Sequence, residues 1–243
     1  MAVLLRLVAA HFVGDFVLQS RRMATRKHAP RWLAAHAATH GALYLAALMP
    51  RPVWELVTAA LLLSGVHAAI DVLKVRCFKD GAVVFCIGQA THLSSIVMLA
   101  SLLPTAPLHG WQAATTLVAS PLLYLYGGGY VAVVLGAGHL VQRISGHFLT
   151  RIDASVLAAK PGLPEAGQYI WWLERFLIVT ALLAGHGEVV GFIVGAKAIV
   201  RYPELKGDEK GHLADYFLIG TMTSVGLALA GGLLLLKIGS LLS

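Results

Sequence analysis

Apolar residues run along this chain in long blocks rather than in the i, i+3, i+4 stripes of a soluble helix. Eight blocks stand out, at residues 1–20, 32–49, 53–73, 81–103, 111–135, 169–184, 188–200 and 215–238. Most approach the roughly 20 residues a helix needs to cross a hydrocarbon core about 30 Å thick. Proline and glycine punctuate them, with Pro50 and Pro52 closing the second block and Pro104 and Pro107 the fourth. The pattern predicts an all-α polytopic transmembrane helix bundle of about eight spans, seven to nine depending on the fifth and seventh. Pro121 and Gly127-Gly128-Gly129 should kink the fifth span or allow close helix contact. Gly187, Gly191 and Gly195, four apart, predict a small-residue packing face on the seventh. Residues 136–168 read as too polar to span and form a connector, with an interfacial helix near 139–148. Two units are expected: a four-helix unit over 1–103, and a second over 104–243 that includes the connector. No internal repeat is evident.

Polar residues interrupt the first four blocks at helical spacing. The first holds His11, Asp15 and Gln19, the second His36 and His40, the third His67 and Asp71, the fourth Gln89 and His92. Residues three or four apart share a helix face. An ionisable group in a membrane span costs about 2.5–3.5 kcal/mol on insertion scales, so it normally faces the protein interior or serves a function.

Composition agrees with a membrane protein: of 243 residues 58% are hydrophobic and 13% charged, where a soluble domain carries about 25% charged residues. The net charge of +7 does not indicate a nucleic-acid partner, because the cations gather between apolar blocks. Arg21, Arg22, Arg26, Lys27 and Arg31 form one group, and Lys74, Arg76 and Lys79 a second. Arg143, Arg151 and Lys160 form a third, and Lys197, Arg201, Lys206 and Lys210 a fourth. Such bias marks cytoplasmic loops and places both termini outside. Cys77 and Cys86 then lie on the reducing side and make no zinc framework alone. The start of the chain lacks the basic n-region and cleavage site of a signal peptide.

With this topology, counted at 1.5 Å per residue, all four polar sets lie about 3–17 Å from the cytoplasmic ends of their helices. Imidazole and carboxylate are preferred ligands of divalent transition metals. His11, Asp15, His36, His40, His67, Asp71 and His92 are therefore the candidate ligands, for one metal with supporting partners or for two adjacent metals. Zinc is the first expectation, with manganese or iron as alternatives. Asp15 or Asp71 could instead serve as general base. Gln19, Gln89 and Lys74 are expected to support the ligands. Glu174, Arg175, Lys197 and Asp215 read as a buried ion-pair network, or Lys197 and Arg201 as a cationic rim for phosphate. His28, His109, His139, His147 and His212 read as ordinary loop side chains, and His186 with Glu188 as an exposed turn. No H-E-x-x-H motif is present, since Ala37 follows His36. No Gly-x-Ser-x-Gly elbow or phosphate loop occurs.

The stretch His11-Phe-Val-Gly-Asp-Phe-Val-Leu-Gln19 resembles the opening of a bacterial inner-membrane family known as domain of unknown function 3307. His36/His40, His67-Ala-Ala-Ile-Asp71-Val-Leu-Lys74 and Gln89-Ala-Thr-His92-Leu follow in the family's order. Trp172-Leu-Glu-Arg175, Gly191 to Glu204 with Lys197 and Arg201, and Asp215-Tyr-Phe-Leu-Ile-Gly220-Thr extend the likeness to the second half. The family pattern has an acidic residue where this chain has Gly88, and a serine where it has Ala198. The first departure removes one carboxylate from a two-metal set. The first four spans are also similar to the membrane-bound metal-dependent hydrolases. Together these imply a protein of the bacterial inner membrane, in contact with the bilayer and able to oligomerise. The expected activity is metal-dependent hydrolysis of a lipid-linked or phosphate-bearing small molecule. A transporter or proton pathway through the same residues is the alternative, though the outer half offers little beyond Tyr44, Ser64, Thr115 and Thr116. A non-enzymatic membrane scaffold is the third reading.

Overall fold

The computed structural model describes residues 1–49, 51–103, 120–149, 166–205 and 212–242, and all regular structure among them is helical. The helices are α1 (Ala2–Phe16), α2 (Arg21–Thr25), α3 (Pro30–Leu48), α4 (Val53–Cys77) and α5 (Ala82–Leu102). They are followed by α6 (Pro121–Tyr130), a π-helical stretch (Val131–Gly136), α7 (Ala137–Leu149), α8 (Ala166–Leu183), α9 (Val189–Leu205) and α10 (His212–Leu242). Among the described residues four helices are long and apolar enough to cross a membrane: Val53–Cys77, Ala82–Leu102, Pro121–Leu149 and His212–Leu242. These fit a membrane protein. Outward-facing side chains on α4 and α5 are themselves large and apolar, including Leu61, Leu62, Val66, Val83, Ile87 and Met98, as expected where hydrocarbon is the solvent.

Several boundaries differ from the sequence reading. α1 stops at Phe16, with the Leu18 amide bonded back to the Val13 carbonyl, and Ser20 caps α2 through the Met23 amide at 3.3 Å. Gln19 therefore lies beyond the helix that was expected to carry it. α4 runs on to Cys77, so Lys74 and Arg76 are helical. Pro121 stands in the first turn of α6, where a missing amide hydrogen costs nothing, instead of kinking a span. The helix then continues to Leu149, although residues 136–149 were expected in the connector. The remainder of that connector, with Arg151 and Lys160, lies outside the described residues. So do the start of the fifth block (Trp111, Thr115, Thr116), Pro104, Pro107, His109, Lys206 and Lys210.

The chain divides into two compact units, Met1–Val131 and Ala132–Leu241. In the first, α1, α3, α4 and α5 pack around a core of Leu7, Ala10, Tyr44, Leu48, Ala59, Ala60, Leu63 and Ile96. On each helix these residues fall toward one end and the histidines and aspartates toward the other, so one half of the bundle interior is apolar and the other polar. α6 lies against α1 where Gly128 admits it: a Cβ there would stand 2.9 Å from Ala9 Cα. Arg6, buried on α1, donates to the Met49 carbonyl at 3.2 Å and lies over the Tyr124 ring.

In the second unit, Arg175 is 1% exposed and ties α8 to the π-helical stretch. Its Nε and Nη2 donate to the Val134 carbonyl at 3.0 and 2.7 Å, and its Nη1 to Ser224 at 3.1 Å. A π turn leaves carbonyls without a regular helical partner, and the guanidinium supplies one. Gly138 leaves it room, since a Cβ there would stand 2.8 Å from Nη2. Glu174 and Lys197 form a buried ion pair. Asp215 is exposed and takes no part in it. Among the described residues the expected glycine face finds little to pack on: a Cβ at Gly191 or Gly195 would meet nothing within 4 Å, and one at Gly187 only Leu182 at 3.8 Å.

Candidate metal centre

The helix register explains how the polar groups meet. His11 and Asp15 point inward from the second half of α1, and His36 and His40 from the first half of α3. His67 and Asp71 come from the last part of α4, and Gln89 and His92 from the first part of α5. Antiparallel neighbours bring these segments to one level. All five histidines are 2% exposed or less, Asp71 is 1% exposed and Asp15 9%.

Asp15 is the hub. Its Oδ1 lies 3.1 Å from His40 Nε2, 3.3 Å from His36 Nε2 and 3.5 Å from His67 Nε2. Its Oδ2 accepts from the Gln89 amide at 2.7 Å and lies 3.7 Å from His11 Nε2. Gln89 Oε1 in turn stands 3.1 Å from His11 Nε2. Asp71 closes the opposite side, with Oδ2 3.5 Å from His36 Nε2 and 3.7 Å from His67 Nε2, and Oδ1 3.7 Å from His92 Nε2. The rings are packed tightly: His67 stacks on His40 at 3.8 Å and on His92 at 4.0 Å between centroids. Gly14 makes this packing fit, because a Cβ there would stand 2.5 Å from the His40 ring.

Two ligand sets emerge whose donor atoms lie within 4.8 Å of one another: His11, Asp15, His40 and His67, and His36, His67 and Asp71. The donor chemistry suits a cation. A neutral imidazole has one N–H and one lone pair, yet His36 Nε2 faces His67 Nε2 at 3.1 Å, both carboxylates and the Gln19 amide nitrogen at 3.2 Å. One hydrogen cannot satisfy that company, whereas a cation on the His67 and Asp15 donors would leave the His36 hydrogen for Asp71. Nδ1 of His11, His40, His67 and His92 is buried with no hydrogen-bond partner among the described residues. Such burial costs about 1–3 kcal/mol per group, so Nε2 must gain more than a hydrogen bond for these rings to be worth burying. This buried His/Asp group could hold a metal ion.

Every candidate ligand in the sequence reading reaches the cluster. His92 belongs to neither set and lies at the Asp71 edge. Gln19 joins from the α1–α2 segment instead of from a helix face. Lys74 stands 3.6 Å from Asp71 Oδ1. Glu174, Lys197 and Arg201 are in the other unit, and the Glu174–Lys197 contact is the ion-pair arrangement. His28, His139, His147 and His212 are exposed, as are His186 and Glu188. Missed from the sequence was Lys27, whose Nζ lies 2.5 Å from Asp71 Oδ2. Its place in a cationic run between apolar blocks gave it only a topological meaning.

The fold and the cluster define an all-helical membrane-type protein with a buried histidine–aspartate centre. The model of a family described as "Protein of unknown function (DUF3307)" matches residues 3–119. The matched stretch is similar to that family and includes the whole cluster. The likeness seen around Trp172, Lys197 and Asp215 lies beyond the matched residues. No curated protein and no solved structure matches the chain.

Proposed function

We propose that this chain is a multi-pass protein of the bacterial inner membrane and a metal-dependent hydrolase, its centre near the cytoplasmic side. The observation that carries this reading is the convergence of five imidazole nitrogens and two carboxylates in one buried cluster. Eight spans with both termini outside remain the proposed topology; each of the eight apolar blocks contains a helix, and four helices among the described residues are long and apolar enough to span. The basic groups around Lys27 and Lys74 border the polar end of the first unit, which is the end the positive-inside bias assigns to the cytoplasm.

Zinc is the leading ion, with manganese or iron as alternatives. Held by His11, Asp15, His40 and His67, it would supply an activated water at neutral pH by taking that water as a fifth ligand. The side chains then divide the remaining work. Gln89 orients both Asp15 and His11 through its amide, as outer partners of metal ligands do. Asp71, the carboxylate outside that set, is paired with Lys27 and Lys74, which holds it beside His67 at the edge of the centre. Lys74, partly exposed beside it, suits an anionic substrate group such as a phosphate on a lipid-linked or other small molecule. Hydrolysis is favoured over transport because Tyr44, Leu48, Leu63 and Ile96 fill the other half of the bundle interior and leave no continuous polar route.

Metal measured by mass spectrometry on protein purified without chelator tests the reading. About one equivalent or more is expected, falling sharply in His67→Ala and Asp71→Ala. Below about a tenth of an equivalent, unchanged in both variants, the reading fails.

A further inference from the structure

Lys27 brings a positive charge into the cluster from outside the four helices. It sits between α2 and α3 with its side chain 11% exposed, and its Nζ contacts Asp71 Oδ2. That oxygen is the one turned toward His36 and His67 in the second ligand set. Zinc would bind a carboxylate oxygen at about 2.0–2.2 Å, and the Lys27 amine already stands at 2.5 Å. The other oxygen faces Lys74 Nζ at 3.6 Å. Gly88, across from Lys74, offers no donor; a Cβ there would lie 3.2 Å from Lys74 Nζ. The two ligand sets also share His67, whose single free lone pair serves one ion.

Charge points the same way. Asp15 and Asp71 contribute two negative charges, Lys27 and Lys74 two positive ones, and ligating imidazoles are neutral. One divalent ion leaves two positive charges, which an anionic substrate group would meet. Two ions would leave four in an apolar surrounding, where uncompensated charge is costly.

We propose that Lys27 is a tethered cation standing in for a second metal ion: the centre binds one divalent ion, in the His11/Asp15/His40/His67 set, while the Lys27 ammonium neutralises Asp71. This rests on the metal-centre reading above. The test is zinc stoichiometry by mass spectrometry after loading and desalting, for the full-length wild type, Lys27→Gln and Lys27→Arg. Wild type and Lys27→Arg should hold about one equivalent and Lys27→Gln about two, since freeing Asp71 opens its carboxylate, together with His36, to a second ion even though His67 is taken by the first. Two equivalents in the wild type, or a Lys27→Gln value no higher than wild type, overturns the tethered cation and leaves the metal centre standing. No zinc in any of the three overturns both. Lys27→Arg shows whether a changed stoichiometry follows from lost charge or from a damaged fold.

Discussion

Replacing Asp15 by Asn removes the charge on which the cluster closes while keeping the side chain's shape. The carboxylate stands within 3.5 Å of three imidazole nitrogens through one oxygen, and 2.7 Å from the Gln89 amide through the other. Changing only the outer partner of a metal ligand typically costs 10–100-fold in affinity, so losing a direct anionic ligand should cost at least the upper figure, about 2.8 kcal/mol. Stability gives an independent measure. Free zinc at about 100 times the wild-type Kd stabilises the folded protein by about 2.7 kcal/mol. For a chain of this length that is roughly 5–11 °C in Tm. Asp15→Asn, carrying at least a hundredfold weaker site, should lose most of that shift. Thermal unfolding in detergent with and without zinc, beside a competition titration against a chromogenic chelator, reads both quantities. An equal zinc-dependent shift in the two proteins would refute the assignment of Asp15 as a ligand.

Three further outcomes follow from the packing and topology. Gly14→Ala drives a methyl into the His40 ring, and should cost about 1–3 kcal/mol of stability and weaken zinc binding; an unchanged Tm would show that the pocket relaxes around it. Arg175→Met leaves the Val134 carbonyl and Ser224 without their donor, a loss of about 1–3 kcal/mol per unsatisfied buried group, with zinc stoichiometry as in the wild type. Cys77 and Cys86 are exposed free thiols, and a membrane-impermeant maleimide should label them in inverted vesicles but not in intact spheroplasts. The opposite labelling would reverse the topology.

What could be read from the sequence was what local periodicity carries. His11/Asp15, His36/His40 and His67/Asp71 each sit four apart in apolar runs, so their shared faces, and the burial those faces imply, follow from helix geometry alone. Gln19 was placed on the same stripe by counting, but the chain leaves the helix after Phe16 to begin the Ser20-capped turn, and Gln19 reaches His36 from the segment between. Lys27 was out of reach of counting, because its contact with Asp71 spans 44 residues and no repeat announces it. The same holds for Arg175: its adjacency to Glu174 suggested an ion pair, whereas its partners are the Val134 carbonyl and Ser224. The stretch 136–149 looked too polar to continue a span. Helical structure nonetheless persists there, with Gly138, Val141 and Ser145 forming its buried side. Gly191 and Gly195 of α9 show the converse error, a packing motif by spacing that finds no neighbour among the described residues.

The central claim is that the first unit holds a metal ion between α1, α3, α4 and α5. Anomalous X-ray scattering at the zinc edge, from crystals of protein never exposed to chelator, tests it most directly. A single peak is expected about 2.0–2.2 Å from Nε2 of His11, His40 and His67 and from an Asp15 oxygen. A cluster interior without an anomalous peak, in protein whose histidines keep these contacts, would contradict the account.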